Sequence, residues 1–334
     1  MKQKECDDSR KEREGCAGMV VVSGNSNAGL AQKIADYLGV KLGDVVVRRF
    51  SDGESRIEIR ENMRGKDVFV IQSLCNPANE NLMDLLIIID ALKRASAEGI
   101  TAVIPYYGYA RQDKKVGPRE PITAKLVADL LETAGATRVM TMDLHSSSIQ
   151  GFFNIPVDHL SSLPTVIRHF KENGIGGSGA VVVSPDVGGV ERATRMKNRI
   201  DSPLAILNKW RPEPNKSEVT ELIGDVASKS CMLFDDIVDT AGTLVNGAEF
   251  LLAQKGASDV SAYCTHGALS GPAMERLRNS KLKQLIITDT IPLPQEKQDP
   301  KITVVSVADV FGEAMLRAHA RESISALFVP KKID

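Results

Sequence analysis

The sequence predicts an α/β protein built from two tandem, doubly wound parallel-sheet domains. Three observations lead there. The chain has 334 residues, too many for one compact core and comfortable for two. From Gly18 onward, short β-branched runs alternate with amphipathic helical stretches, the pattern of a parallel sheet covered by helices. The order of elements in the first half then recurs in the second with different residues.

In the first half, residues 19–22 read as a strand and 28–38 as a helix. Residues 45–50 and 56–60 form a hairpin around Ser51-Asp52-Gly53-Glu54, because Asp-Gly supplies the positive φ of a tight turn. Strand 67–72 follows, then a helix over 79–98 with an Asn-rich start and apolar residues at helical spacing. Strand 101–105, a polar loop over 106–121, helix 122–133 and strand 138–143 complete the copy. A short helix between turn-rich segments joins it, over 164–179, to the second copy. That copy reads as strand 180–184, helix 190–199, strand 204–207, a long polar turn over 208–217, strand 219–223, strand 231–234, helix 244–255, strand 260–265, helix 272–279 and strand 284–288. A strand at 302–305 and a helix at 311–321 end the chain. The expected domains are 19–163 and 164–316, with 317–334 returning to the first, after a frayed, solvated tail over 1–18.

Composition narrows the function. Forty-two basic and 43 acidic residues leave a net charge of −1, so no global field gathers nucleic acid or an anionic membrane. Aromatic residues at 4% are too few for a base-stacking surface. The longest apolar stretch, 85–89, is broken by Asp90, well short of the ~20 residues that span a bilayer. Five scattered cysteines with no CxxC pair indicate neither a disulfide framework nor structural zinc, and fit a reducing cytoplasm. The tail's mixed charges match neither a secretory signal nor a transit peptide.

In doubly wound sheets, ligands collect outside the carboxyl ends of the strands. The most informative loop there runs Phe234-Asp235-Asp236-Ile237-Val238-Asp239-Thr240-Ala241-Gly242-Thr243. An apolar strand leads into two carboxylates, then into small and hydroxyl residues opening a helix. Backbone N–H groups and the Thr hydroxyls make an anion cradle, while Asp235 and Asp236 suit sugar hydroxyls or Mg2+. The stretch resembles the phosphoribosyl-diphosphate binding loop of type I phosphoribosyltransferases, which implies a ribose 5-phosphate ligand held by Asp235, Asp236, Asp239, Thr240, Ala241, Gly242 and Thr243.

Four further segments, Arg49-Phe50-Ser51-Asp52-Gly53-Glu54, Tyr109-Ala110-Arg111-Gln112-Asp113-Lys114-Lys115, Thr141-Met142-Asp143-Leu144-His145 and Ser184-Pro185-Asp186-Val187-Gly188-Gly189, widen the resemblance. From Met19 to Phe328 the chain is similar to the ribose-phosphate pyrophosphokinases. The resemblance implies transfer of the β,γ-diphosphate of ATP to the 1-hydroxyl of ribose 5-phosphate, with Mg2+ as cofactor. It implies an ATP site of Phe50, Asp52, Gly53, Glu54, Arg111, Gln112 and His145, the hairpin reaching into a neighbouring subunit. His145 and Asp186 are the implied metal partners, and Lys209 and Arg211 the catalytic cations of a closing loop. Arg64, Arg119, Asp158, Ser323 and Ser325 match an implied allosteric site for phosphate or ADP. A dimer-based homo-oligomer, a hexamer in the family, is the implied assembly. Two departures stand out: Trp210 replaces an acidic residue of the catalytic loop, and Val116-Gly117-Pro118 replaces more polar residues of the regulatory loop. A phosphoribosyltransferase and a non-catalytic regulatory subunit remain as alternatives. The first leaves Arg111, Gln112, His145 and Asp52 without a task, and the second is expected to lack cations or loops that this chain retains.

Overall fold

The computed structural model describes residues 16–210 and 219–327, with only the backbone described at 209, 210, 219 and 220. In chain order the elements are β1 (Met19–Ser23), α1 (Ala28–Leu38), β2 (Val45–Arg49), β3 (Ser55–Ile59), β4 (Asp67–Ile71), α2 (Ala78–Arg94), β5 (Gly99–Ile104), α3 (Thr123–Ala134), β6 (Arg138–Met142), β7 (Val157–Leu160), α4 (Leu163–Glu172), β8 (Ala180–Ser184), α5 (Val190–Ile200), β9 (Leu204–Trp210), β10 (Val219–Ile223), β11 (Ser230–Val238), α6 (Gly242–Lys255), β12 (Asp259–Gly267), α7 (Ala273–Asn279), β13 (Leu285–Thr288), β14 (Ile302–Val305) and α8 (Ala308–His319).

The chain divides into two compact units. Unit 1 holds the residues up to Thr141, Ser148–Leu160 and those from Ala308 onward. Unit 2 holds Met142–Ser147 and Ser161–Val307. The divisions differ from the expected ones: Met142, the last residue of β6, and the five residues after it go with the second unit, and the chain returns to the first at Ala308 rather than 317.

Unit 1 is built on a sheet of order β1-β4-β5-β6-β7, in which β1, β4, β5 and β6 run parallel. The strands are rich in Val and Ile, as strands covered on both faces are. Its antiparallel β2–β3 hairpin forms a separate two-stranded sheet. Asn27 caps α1 by accepting from Leu30 N, and Gly39 ends it at φ 71°. Cys16, at the edge of the expected tail, is buried, and its thiol donates to Leu38 O at 3.8 Å. The remainder of that tail, 1–15, lies outside the described residues.

Unit 2 has a sheet of order β10-β9-β8-β11-β12-β13-β14, parallel except for the antiparallel β9–β10 pair. Leu207, Leu233, Leu244, Leu251 and Leu285 pack in the core on one face, and Phe170, Met196, Phe234 and Tyr263 on the other. Phe234 stacks on Tyr263 with ring centroids 4.9 Å apart.

Four elements depart from expectation. α2 ends at Arg94, because Ser96 turns to φ 61° and Ala97 N bonds back to Leu92 O, which frees Gly99 to begin β5. β7 is a strand the sequence did not indicate, at the end of the first copy, whereas α4 is the short helix expected between the copies. β9 continues through Trp210, so Lys209, expected in a turn, stands in a strand opposite Thr220. β11 runs on through Asp235 and Asp236 to Val238, because its ladder with β12 persists, pairing Asp235 with Cys264 and Ile237 with His266. Among the described residues no helix is long and apolar enough to cross a membrane.

Candidate active site

Unit 2 carries a cluster of charge at the carboxyl end of β11. Asp236 is 3% exposed, and Asp235 lies beside it in the strand. The Arg192 guanidinium, on the third residue of α5, donates through Nη1 to Asp235 Oδ1 and Asp236 Oδ1, both at 3.1 Å. Asp236 Oδ2 lies 2.8 Å from His145 Nδ1. Burial, and then the neighbouring Asp236 charge, push Asp235 up to about 8. Burial also opposes ionisation of Asp236, but the hydrogen bond from His145 and the Arg192 charge outweigh it and hold that carboxyl below its ordinary range. One readily ionised carboxyl and one that tends to keep its proton therefore stand side by side beside a single guanidinium.

The segment bearing His145 is pinned by Asp143, whose backbone has φ 39°. Asp143 Oδ2 accepts from Ser162 N at 3.1 Å, from Thr265 Oγ1 at 2.7 Å and from the Ser162 hydroxyl. Tyr263 OH donates to Ser162 Oγ at 2.7 Å, extending the network into the core. His266 Nε2 lies 3.2 Å from the Asp143 carbonyl oxygen, which accepts its proton. His266 Nδ1 lies 2.9 Å from Thr290 Oγ1, which also reaches Thr265 O at 3.1 Å.

The loop after β11 is held from outside. Ser270 N donates to Asp239 O at 2.8 Å, Leu269 N to Val238 O at 3.1 Å, and Arg276 Nη1 to Thr240 O at 3.0 Å. Ala241 caps α6 from the left-handed region, φ 60°, so the loop enters the helix with Gly242 and Thr243 as its first residues. Thr240 and Thr243 are exposed. These features build a fixed anion cradle at a helix start.

Asp186 follows β8, and its Oδ1 accepts from Gly189 N at 2.8 Å. A Cβ on Gly189 would stand 2.9 Å from Ser184 Oγ, so this turn favours glycine. Among the described residues no three His, Cys, Asp or Glu side chains gather into a metal-holding group. Mg2+ in phosphoryl-transfer sites takes one or two carboxylates and fills its remaining positions with water and phosphate oxygens. An exposed Asp186 with one oxygen engaged fits that ion better than a closed cage would.

Unit 1 carries the other expected residues. Phe50, Asp52, Gly53 and Glu54 are exposed at the tip of the β2–β3 hairpin, where Phe50 N donates to Glu54 O at 2.8 Å and Gly53 has φ 94°. Arg111 and Gln112 follow a turn at Tyr109, φ 65°, and both are exposed. The Gln112 side chain accepts from Thr123 Oγ1, and its carbonyl from Ala124 N at 3.2 Å. Of the expected regulatory residues, Asp158 accepts from Arg138 Nη1 at 2.8 Å, Ser323 O accepts from Arg317 Nη1 at 3.2 Å, and Arg64, Arg119 and Ser325 are exposed. Val116 N and Gly117 N both donate to Glu120 Oε2 at 2.8 Å and lower that carboxyl, so the departing loop folds onto its own acid. Lys209 is the penultimate residue of β9 with only its backbone described, and Arg211 lies outside the described residues.

Sequence reasoning did not single out Asp143, Arg192, His266 or Arg276. The only local hint was a cation in the first turn of a helix that follows Gly188-Gly189.

Comparison with known proteins gives a consistent result. The model of the N-terminal domain of ribose phosphate pyrophosphokinase matches residues 19–135, and that of the phosphoribosyl synthetase-associated domain matches 211–329. A ribose-phosphate pyrophosphokinase of Fusobacterium nucleatum is 56% identical over 308 residues, covering 92% of this chain and 97% of the relative. One from Corynebacterium ammoniagenes is 55% identical over 312 residues, covering 93% and 98%. Among solved structures, the phosphoribosylpyrophosphate synthetase of Mycobacterium smegmatis superposes with a TM-score of 0.84 at 40% identity, covering 91% of this chain and 99% of that one.

Proposed function

The chain belongs to the ribose-phosphate pyrophosphokinase family, and on that premise we propose how its own residues transfer the β,γ-diphosphate of ATP to the 1-hydroxyl of ribose 5-phosphate. The observation that carries the reading is the Asp235–Asp236 pair under Arg192, followed directly by the tethered loop that opens α6. Carboxylates recognise sugar hydroxyls, and the loop N–H groups and Thr hydroxyls of 239–243 receive the 5-phosphate. The sugar is thus held at both ends.

In the reaction, the 1-hydroxyl oxygen forms a bond to the β-phosphorus while the bond from that phosphorus to the α,β-bridging oxygen breaks. AMP leaves with the oxygen, and the hydroxyl proton is released. Charge builds on the equatorial and leaving oxygens, so catalysis depends on positioned cations. Lys209 and Arg211 supply those cations. Phe50 offers its ring to adenine and Asp52 and Glu54 accept from its amino group, from a neighbouring subunit, while Arg111 and Gln112 engage the nucleotide. Mg2+, when bound, neutralises and orients the diphosphate oxygens; Asp186 and His145 would hold it, His145 with its ring fixed by Asp236. The assembly proposed is a dimer-based homo-oligomer, a hexamer as in the family, with Arg64, Arg119, Asp158, Ser323 and Ser325 contributing to a phosphate or ADP site. The compartment proposed is the reducing cytoplasm, supported by buried thiols at Cys16, Cys75, Cys231 and Cys264.

Incubation of the protein with ribose 5-phosphate, MgATP and inorganic phosphate, followed by phosphorus NMR, tests the reading. AMP and a sugar 1-diphosphate are expected to appear together. Absence of AMP overturns it. In Lys209→Ala, kcat should fall at least 100-fold while ATP affinity holds, because the interaction strengthens only in the transition state.

A further inference from the structure

We propose that Asp84 is a positioning residue for the nucleotide hairpin, its carboxylate fixing the two residues that flank the turn and so setting where Phe50, Asp52 and Glu54 reach. The inference rests on the reading that this hairpin tip meets the base of ATP.

A two-stranded ribbon is marginal on its own in water, and β2–β3 pairs with no other strand among the described residues. Its orientation must come from elsewhere. Arg49 and Ser55 face each other as the last rung of the ladder before the turn. Both are held by one carboxylate on α2. Asp84 Oδ1 lies 2.5 Å from Arg49 Nη1 and 2.5 Å from Ser55 Oγ, and Asp84 Oδ2 lies 3.0 Å from Arg49 Nη2. The Arg49–Asp84 contact is therefore bidentate, the most directional geometry a cation and carboxylate can adopt. Glu80, one helical turn earlier, stands 3.5 Å from Arg49 Nη2 and adds charge.

The side chain of Asp84 is only 2% exposed, whereas that of Arg49 is 34% exposed. A buried carboxylate has to find donors, and both of its oxygens find them on the hairpin. On the opposite side Asn25 Nδ2 donates to Val47 O at 3.1 Å, so the ribbon is pinned along its length as well as at its last rung. The tip then organises itself. Gly53 N bonds to Phe50 O at 3.0 Å, Glu54 N to Asp52 Oδ1 at 3.1 Å, and the Arg56 guanidinium lies 5.8 Å from the Phe50 ring centroid. A tip that is rigid within itself and carried on a clamped rung moves only if the clamp moves. Misplacement of a binding group by about 1 Å can cost about 100-fold in rate.

The test compares Asp84→Asn, Asp84→Glu, Ser55→Ala and Phe50→Ala by steady-state kinetics with both substrates varied. Asp84→Asn should raise KM for ATP about tenfold and leave KM for ribose 5-phosphate within about twofold; Asp84→Glu, which keeps the charge, should recover most of the loss. Phe50→Ala should raise KM for ATP independently. If it does not, the hairpin reading itself fails. If Phe50→Ala raises KM for ATP and Asp84→Asn leaves it unchanged, or raises both KM values alike, the role of Asp84 is overturned. Should Asp84→Asn not fold, Ser55→Ala takes its place with an expected threefold rise for ATP alone, and an unchanged value overturns the proposal.

Discussion

The two units repeat one order of strands and helices through their central parts, and one difference between them lies at the end of a matching strand. β4 begins at Asp67 and β11 at Ser230, each pairing from its first residue with the preceding parallel strand. Counting along them, the sixth and seventh positions are Gln72 and Ser73 in unit 1 and Asp235 and Asp236 in unit 2. Gln72 is fully buried. Its Oε1 accepts from Ser26 N at 3.0 Å and Ser26 Oγ at 2.7 Å, and its Nε2 donates to Asn81 O at 3.1 Å. The amide closes its crevice with a neutral, satisfied network. In unit 2 the corresponding positions hold two acidic side chains, Asp235 one methylene shorter than Gln72 and Asp236 longer than Ser73, and both meet the partly buried Arg192 guanidinium. The same strand end is thus neutral in one unit and charged in the other, which is why function has to be argued from the site rather than the fold.

Erasing that difference should have the largest effect. The third residue of α1 is Leu30, buried, and the third of α5 is Arg192. Arg192→Leu gives unit 2 the residue type of unit 1 but strands two buried carboxyls. Removing one partner of a buried ion pair typically costs about 3–5 kcal/mol, and the 23% exposure of the Arg192 side chain places the expected loss near the lower end. Urea unfolding should show it, with turnover abolished. The combined variant Arg192→Leu/Asp235→Gln/Asp236→Ser should recover stability and still lack turnover. If it is no more stable than Arg192→Leu alone, the comparison between the crevices breaks.

The reverse test is smaller. Gln72→Ala in unit 1 leaves Ser26 and the Asn81 carbonyl without their buried partner and opens a void, at a cost of about 2 kcal/mol. KM for ribose 5-phosphate should not change, since the loop proposed to hold the sugar belongs to the other unit. A large rise in that KM would mean that the filled crevice is not inert.

How much of this was legible in the sequence follows the range of the interactions. The alternation of strands and helices, the hairpin at Asp52-Gly53 and the helix that follows the small residues after Asp239 are local signals, and the structure shows elements at those places. Asp235 and Asp236 were read as loop because carboxylates are depleted in strands. The structure keeps them in β11, since the ladder to β12 outweighs propensity there. The clamp was not legible. Arg192 meets Asp236 across 44 residues and Asp143 meets Thr265 across 122, separations at which a single sequence carries no pairing signal. Asp84 was hidden for the same reason: it shares the buried face of α2 with Leu85 and Ile88, but its partners Arg49 and Ser55 lie 35 and 29 residues away.

The smallest effect concerns pH and separates the units by their strand ends. β12 carries His266 within the buried network, after a slip in its register with β13 between Cys264 and His266. Burial lowers the His266 pKa below its ordinary value, and the nearby Asp143 and Asp236 only partly oppose it. The unfolded chain therefore binds a proton at this histidine at higher pH than the folded protein does. Stability is complete above the unfolded pKa, near 6.5, and declines as pH falls toward the depressed folded value. The Asp143 carbonyl fixes one proton on Nε2 and Nδ1 faces the Thr290 hydroxyl, so burial of the ring is what disfavours its charged form. Melting temperatures recorded from pH 7.5 down to 5.5 should decline less steeply in His266→Gln than in the wild type, and the His266 ring signals should remain those of a neutral imidazole at pH 6. A ring that is already charged at that pH would show that Asp143 and Asp236 outweigh burial, and that the strand-end network of unit 2 is ionic rather than neutral.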